Sequence, residues 1–436
     1  MPRTAILVAA FDSQLKWCAR IRDELELEGF VCRTVVPSVR SALSPAQLRD
    51  AGFETVDRVG WEELVELAVA SSVVVCALSG PQTQRLSLAL SHELEGSADP
   101  GPVVVAGWVG IIIEKITAGY LDRCGADVVA VNSAHDLAHF ERTAERLGLQ
   151  TDNLLLTGLP FLSSEPAPAR TGPIRTVVFA DQPTVPSGQT ERSYVYLRLL
   201  EHARRHPERR VLLKPRHRPG EDTFHRMRHH PADLLASEDL PPNFEIVYTP
   251  VPDLLAEADL LLTVSSTACL EAVDHGCRVA LVLDLGVHER LGNQGLLDSG
   301  LLRTFDQVDD DDLGVVDAAW RDSYFAGRGD RPAARIIVDR ALELLGSGQR
   351  PSHEVWESSY FRGVARVSST HVVRQGRWRR SAWSRRMRHH GRVMGTVVHL
   401  AQRGLPPVIA THLRRWATPA LRAGMRRHPS VESGRP

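Results

Sequence analysis

Two short polar stretches in the second half of the chain contain residue types that bind phosphate. KPRHRP (214–219) brings together a lysine, two arginines and a histidine, and SST (265–267) begins a helical pattern. Guanidinium groups match phosphate oxygens with paired donors, and a helix N-terminus adds free N–H groups and a positive dipole. The two stretches therefore predict a site for the phosphate of a nucleotide-activated donor. The predicted ligand-binding residues are Lys214, Arg216, His217, Ser265, Ser266 and Thr267.

Each stretch alone has a simpler interpretation. Serine and threonine are favoured helix N-caps, so SST needs no ligand, and KPRHRP has the composition of a solvated basic turn. Both stretches, however, follow apolar strands that we place side by side in one sheet. Ligands of open parallel sheets bind beyond the carboxyl ends of the strands. The pair of stretches therefore favours a binding site over two unrelated turns.

The elements that must position these stretches form two runs of alternating strands and helices. The first run covers residues 1–162 and the second covers residues 174–348, and SSEPAPARTGP (163–173) is the predicted linker. The strands are apolar throughout, as in parallel sheets covered on both faces. We predict an α/β protein with two doubly wound, Rossmann-like domains that face a cleft. The amphipathic stretch 332–346 is predicted to close the second domain.

Charge is distributed unevenly along the chain. Residues 351–436 hold 17 arginines, no lysine and three acids, a net +14, so the rest must carry −15 to give the overall −1. Half of the eight tryptophans lie in the same segment. A basic amphipathic helix with this composition suits an anionic membrane surface. The alternatives are nucleic-acid binding, which we rank lower, and a disordered tail that folds back onto the acidic part. We predict that residues 349–436 form a basic tail, helical or partly disordered.

Several classes of protein and site are disfavoured. The six cysteines form no CxxC pair, and no run of about 18 apolar residues occurs, so we expect reduced thiols and no spanning helix. We therefore expect a cytoplasmic protein, peripheral at the inner face of the membrane. No GxGxxG, Walker A or GxSxG motif appears. His225 and His229 have metal-ligand spacing but no third ligand, and DDDD (309–312) lacks EF-hand spacing and fits an acidic helix start. We expect no metal and no cofactor beside the donor substrate.

Three segments together resemble known transferases. LKPRHRP (213–219) and VSSTACLEA (264–272) resemble the basic-His and Ser/Thr elements of bacterial sialyl- and polysialyltransferases and of teichoic-acid glycerophosphotransferases. GWVGIIIEKITAGY (107–120) is similar to a tryptophan–glycine segment of the latter. Overall, residues 1–345 look most like an actinobacterial family of glycosyltransferases with the GT-B architecture. The resemblance implies that His217 and the Ser/Thr hydroxyls hold the donor phosphate.

The chain departs from these families at two positions. Arg218 separates His217 from the proline, and Val109 stands where the glycerophosphotransferases have a histidine between tryptophan and glycine. The base that takes the acceptor proton must then come from another residue. Asp12 and Glu114 are the acceptor-side candidates. We favour Asp12 because it directly follows the first strand, although an N-cap role explains it equally well.

The prediction is a metal-independent glycosyltransferase that moves a sugar from a nucleotide-linked donor to a cell-envelope polysaccharide or lipid-linked acceptor. Lys214, Arg216 and His217, with the hydroxyls, would stabilise charge on the leaving phosphate. Glu271, one helical turn further on, would hold ribose hydroxyls. The alternatives are a sugar-nucleotide epimerase of the same two-domain shape and a non-catalytic nucleotide-sugar-binding protein.

Overall fold

The computed structural model describes residues 3–38, 43–112, 115–163, 166–221, 227–325 and 331–368. Two parallel sheets lie in one compact unit, Met1–Arg362. Glu114, His225 and the predicted tail beyond residue 368 lie outside the described residues. Among the helices that the structure describes, none is both long and apolar enough to cross a membrane.

The first sheet has seven parallel strands within the described residues, in the order β3-β2-β1-β4-β5-β6-β7. Its strands are β1 (Thr4–Val8), β2 (Val31–Pro37), β3 (Asp57–Val59), β4 (Val73–Cys76), β5 (Val103–Gly107), β6 (Val128–Val131) and β7 (Leu154–Leu156). The helices between them are α1 (Asp12–Leu27), α2 (Pro45–Asp50), α3 (Trp61–Val69), α4 (Gly80–Glu93), α5 (Ile116–Leu121) and α6 (Ala134–Leu147). The order reverses between β1 and β4, so the residues after β1 lie at the point where such sheets bind ligands.

The second sheet has six parallel strands in the described part of the chain, in the order β10-β9-β8-β11-β12-β13. Its strands are β8 (Thr176–Ala180), β9 (Arg210–Lys214), β10 (Phe244–Ile246), β11 (Leu260–Thr263), β12 (Arg278–Val282) and β13 (Leu302–Arg303). Its helices are α7 (Gln189–Arg205), α8 (Pro231–Leu234), α9 (Val251–Glu257), α10 (Ala268–Asp274), α11 (Phe305–Asp309) and α12 (Ala318–Phe325). The prediction of two doubly wound domains is confirmed.

The strands that precede KPRHRP and SST are not adjacent, contrary to the sequence-based expectation. β9 and β11 lie on either side of β8, which pairs with both. The stretches therefore flank the residues that follow β8, Asp181 and Gln182. This arrangement is the usual one for doubly wound sheets, in which the first strand lies between the second and the fourth.

The long helix near the end of the compact unit covers the first sheet. In α13 (Ala333–Ser347), an apolar stripe that includes Ile337, Ala341 and Leu344 shares a core with Trp17 of α1 and with β5. The prediction that this helix closes the second domain is therefore wrong. Amphipathic spacing indicates that one face is buried but not which sheet it covers.

The segment after α13 also belongs to the first domain. Arg350 is only 8% exposed, and its guanidinium donates to backbone carbonyls that include those of Gly101 and Leu344. In α14 (Pro351–Glu357), Trp356 donates through Nε1 to the carbonyl of Gly125 at 3.1 Å. Val355 and Phe361 are buried in the first-domain core, so residues 350–361 belong to the first domain rather than to the predicted basic tail.

Residues 166–173 of the predicted linker have neither helix nor strand and run along the second domain. The Arg170 N–H donates to the carbonyl of Gly276, and the Arg170 guanidinium donates to carbonyls at the end of α9. Gly276 has a φ of +71°, and a Cβ there would lie 2.3 Å from the carbonyl oxygen of Pro168. This close approach requires glycine at the turn after α10.

Removing the Arg350 guanidinium should release the segment that follows α13. We expect Arg350→Met to lower the free energy of unfolding by about 2–3 kcal/mol, because several buried carbonyls lose their donor. Urea unfolding followed by circular dichroism measures the change. Arg362→Met, at an exposed position in the same segment, is the matched control and should be nearly neutral. Equal effects of the two variants would contradict the anchoring role of Arg350.

Candidate functional site

The candidate site lies beyond the carboxyl ends of β8, β9 and β11. The loop after β8 is held by a buried ion pair in which Arg192 Nη1 donates to both oxygens of Asp181 at 3.1 Å, and both side chains are 1% exposed. The Tyr196 hydroxyl donates to Asp181 at 2.7 Å, and Arg192 also donates to the carbonyl of Gln182. Burial raises the pKa of Asp181 to about 6, with Arg192 and Tyr196 opposing a larger rise. The pair therefore fixes the backbone at the centre of the site.

Gln182 connects this ion pair to the SST stretch. Its side-chain oxygen accepts from the backbone N–H of Ser265 at 3.0 Å. Neither Gln182 nor Arg192 is among the residues predicted from sequence. A usable signal for Arg192 does exist, because it lies on the apolar stripe of α7 with Tyr196 and Leu199. An arginine on a buried helix face must have a counter-charge.

The three hydroxyls of the SST stretch differ in what they offer to a ligand. Ser265 is 1% exposed and donates its hydroxyl hydrogen to the carbonyl of Leu291, so no donor remains. Ser266 Oγ accepts from the N–H of Ala268 at 3.2 Å. Thr267 Oγ1 accepts from the N–H of Ile111 at 3.1 Å. Since Ser266 and Thr267 act as acceptors in these bonds, their hydroxyl hydrogens can still be donated to a phosphate.

Lys214 supplies the most buried cation of the KPRHRP stretch. It ends β9, and its Nζ donates to the carbonyl of Pro215 at 2.8 Å. Burial, followed by the charges of Lys16 and Arg216, lowers the pKa of Lys214 to about 8. Lys16 lies on the exposed face of α1, one turn after Asp12. Lys16, which belongs to no recognisable motif, therefore contributes a positive charge to the site from the first domain.

Arg216 joins the two domains across the cleft. Its Nη2 donates to both carboxylate oxygens of Asp12, at 2.7 and 2.8 Å. The two side chains are 35% and 15% exposed, respectively. Burial would raise the pKa of Asp12, but Arg216, together with Lys16, holds it below the ordinary value. The predicted phosphate ligand and the predicted acceptor base are thus paired with each other.

His217 is buried and makes hydrogen bonds within the loop that follows β9. Its Nε2 accepts from the backbone N–H of Met227 at 3.2 Å, and its Nδ1 lies 3.0 Å from the carbonyl oxygen of Arg218. The ring is 7% exposed. Arg218 turns away and stacks over the ring of Tyr248 at 4.4 Å. In this arrangement both nitrogens of His217 serve the loop, and neither is presented to a ligand.

Glu271 lies one turn into α10 and is half-buried. Burial raises its pKa, while Lys16 and His275 have the opposite effect. Its side chain makes no hydrogen bond within the described part of the chain. Glu271 can therefore accept a hydrogen bond from a ligand, and it lies close enough to Lys16 for the two charges to interact.

The first-domain loop after β5 completes the wall of the cleft. Asn132 is 1% exposed and donates to the carbonyls of Trp108 and Gly110. A Cβ at Gly110 would lie 2.6 Å from Thr267 Oγ1, so glycine is needed for the two domains to meet here. Val109 packs into the first-domain core.

The acidic run 309–312 lies at the end of α11, which corrects the predicted helix start. A capping box formed by Thr304 and Gln307 begins that helix earlier. Acids at a helix C-terminus oppose the helix dipole. Arg198 and Arg205 of α7 compensate, since each lies 3.1 Å from Asp309 Oδ2.

His202, His206 and Asp309 could hold a metal ion, because their ligand atoms lie within 4.8 Å of one another. The histidines are four residues apart, with His202 in the last turn of α7 and His206 directly after the helix. Asp309, however, already has His202 Nδ1 at 2.6 Å on one oxygen and the two arginines on the other. A cation would have to displace these partners, so the cluster fits a charge-paired contact between α7 and α11.

Two Rossmann-like domains whose strand ends meet at a cleft define the GT-B architecture, which glycosyltransferases and sugar-nucleotide epimerases share. The chain belongs to the family described as putative glycosyltransferase (DUF6716), whose model matches residues 5–339. No curated protein sequence matches it.

Solved structures agree with this architecture. A putative UDP-N-acetylglucosamine 2-epimerase from Listeria monocytogenes is 12% identical with a TM-score of 0.52, over 80% of this chain and 98% of that one. The UDP-GlcNAc 2-epimerase from Methanocaldococcus jannaschii is 10% identical with a TM-score of 0.50, over 79% and 100%. The spinosyn rhamnosyltransferase SpnG is 13% identical over 81% of this chain and 98% of that one, but its TM-score of 0.41 is too low to support the architecture. At these identities the likeness is one of fold alone.

The buried ion pair below the site should dominate local stability. We expect Arg192→Met to cost about 3–5 kcal/mol in the free energy of unfolding at neutral pH, because Asp181 is left buried without a counter-charge. Without Arg192, the pKa of folded Asp181 rises further above its unfolded value. Protonation then stabilises the folded variant, so its deficit should shrink as the pH falls through that pKa, towards about pH 5.

Urea unfolding of the variant and the wild type across this pH range tests the expectation. Arg210→Met removes an exposed pair with Glu245 and should cost less than about 1 kcal/mol at any of these pH values. A pH-independent deficit for Arg192→Met would contradict the proposed loss of charge compensation.

Proposed function

We propose that the protein is a glycosyltransferase that transfers a sugar from a nucleotide-linked donor to an acceptor of the cell envelope. The observation that carries this proposal is the placement of cationic and hydroxyl groups on either side of the residues that follow β8. Lys214 and Arg216 lie at the end of β9, and the hydroxyls of Ser266 and Thr267 follow β11. The donor phosphates would lie among these groups. Membership of the glycosyltransferase family supports the same assignment.

The donor site would work through cationic side chains rather than a metal. Lys214 and Arg216 would neutralise charge as it develops on the leaving phosphate, and Lys16 would add a cation from the first domain. His217 would act as a positioning residue for the loop, and Glu271 would accept hydrogen bonds from ribose hydroxyls. The donor substrate is then the one small molecule that the reaction requires beside the acceptor.

The transfer step would use Asp12 as the base. The Asp12 carboxylate would take the proton of an acceptor hydroxyl while that oxygen forms a bond to the anomeric carbon of the sugar. The bond between the anomeric carbon and the phosphate oxygen would break, and its electron pair would leave with the nucleotide.

Binding of nucleotides and nucleotide-sugars tests the donor site. We measure binding of UDP-, GDP-, CMP- and CDP-linked donors by thermal shift and calorimetry. We expect the wild type to bind the donors that carry one particular nucleotide base. Lys214→Met should weaken that binding by at least about tenfold, since a buried cation is lost. The double variant His217→Ala with Ser266→Ala should also bind more weakly.

Arg210→Met is the matched control, because Arg210 begins the strand that Lys214 ends. It should bind like the wild type. Absence of binding to every donor would overturn the proposal. If NMR shows that the bound nucleotide-sugar is converted to its epimer without an acceptor, the protein is an epimerase and not a transferase.

The acceptor proposed is a polysaccharide or lipid-linked molecule reached at the inner face of the membrane. The basic composition of 351–436 supports this, and because residues 350–361 pack in the first domain, the proposed membrane contact is made by residues after Phe361. Nucleic acid could bind the same arginines, but we rank it below the membrane as a partner.

Flotation with vesicles tests the membrane contact. We expect the full chain to float with vesicles that contain phosphatidylglycerol and to remain behind with phosphatidylcholine alone, because basic segments need anionic lipid. A chain ending at Ser368 should not float with either. Binding of the full chain to RNA with no flotation would reject the membrane assignment.

A further inference from the structure

Two residues that the proposed reaction needs for different purposes are bonded to each other. Arg216 is required by the leaving phosphate and Asp12 by the acceptor hydroxyl, yet Arg216 Nη2 donates to both Asp12 oxygens. A carboxylate held in this way is a poor base, because the guanidinium stabilises its ionised form. While this contact lasts, Asp12 is unavailable as a base.

The surrounding charges favour an exchange of partner when an anion enters. Lys16, Lys214 and Arg216 all act on this part of the cleft, and the charges of Asp12 and Asp50 oppose them at Lys214. Arg216 is partly exposed and uses only Nη2 in its bond to Asp12, so the rest of its guanidinium can meet an incoming ligand. A diphosphate carries more charge than one carboxylate and offers oxygens for forked hydrogen bonds.

A second contact between the domains does not depend on Arg216. The Ile111 N–H donates to Thr267 Oγ1 at 3.1 Å, beside the close approach at Gly110. Arg216 can therefore leave Asp12 while this contact still joins the two walls of the cleft.

We propose that Arg216 changes partner, from Asp12 in the free protein to the donor phosphate in the loaded protein, and so releases the acceptor base only after the donor has bound. The proposal rests on the proposed function and adds an order of binding to it. Asp12 loses its counter-charge at the moment when the leaving group gains one. The acceptor proton then moves to Asp12, and the sugar–phosphate bond breaks as described above.

A double-mutant cycle on binding tests the exchange. The probes are inorganic diphosphate, UDP and GDP, titrated by calorimetry into the full chain. Asp12→Asn removes the competitor for Arg216 and should tighten binding by about fivefold, the size expected for a partly exposed ion pair. Arg216→Met should weaken binding, and in that background Asp12→Asn should no longer tighten it.

Asp50→Asn is the control for charge alone. Asp50 is exposed at the end of α2, and its charge also acts on Lys214, but it makes no contact with Arg216 within the described residues. Its effect on affinity should stay below about twofold.

The outcomes separate the two proposals. Binding in which Asp12→Asn has no effect, or has the same effect with and without Arg216, would overturn the exchange while leaving the donor site intact. A tightening by Asp50→Asn equal to that of Asp12→Asn would overturn it as well. If the wild type binds none of the probes, both the proposed function and the exchange of partner by Arg216 are wrong.

Discussion

The buried pair of Asp181 and Arg192 is the interaction on which the second-domain side of the cleft depends. It fixes the backbone after β8, and through Gln182 it holds the N–H of Ser265. The loops after β9 and β11 lie on either side of this point. A pair of opposite charges buried below the cleft can keep this backbone in place while the surface residues change partners. Rigid support below mobile side chains is a general requirement of binding sites.

Fold class followed from the sequence because buried parallel strands have an unmistakable composition. Runs such as 73–76 and 260–263 are apolar on both faces, and polar residues mark the loops between them. The sheet against which α13 packs could not be predicted in this way. Its apolar stripe would cover either sheet equally well, and only the three-dimensional arrangement shows that it packs beside Trp17 and β5.

The candidate site was predictable only in part, for a similar reason. Motifs indicate which residue types are near a strand end, and Lys214, Arg216 and Thr267 do lie around the cleft. They do not indicate which atoms are already bonded. Ser265 and His217 have their polar atoms engaged inside the protein, while Lys16 contributes a charge from an ordinary helical position.

The return of the chain to the first domain through α13 makes the second domain an insertion rather than a terminal module. The polypeptide crosses between the domains once after β7 and again before α13. Two crossings act as a paired hinge, since a rotation must leave both of them in place. Any rotation of one domain relative to the other must therefore bend both crossings together, which limits how residues that face each other across the cleft can move apart.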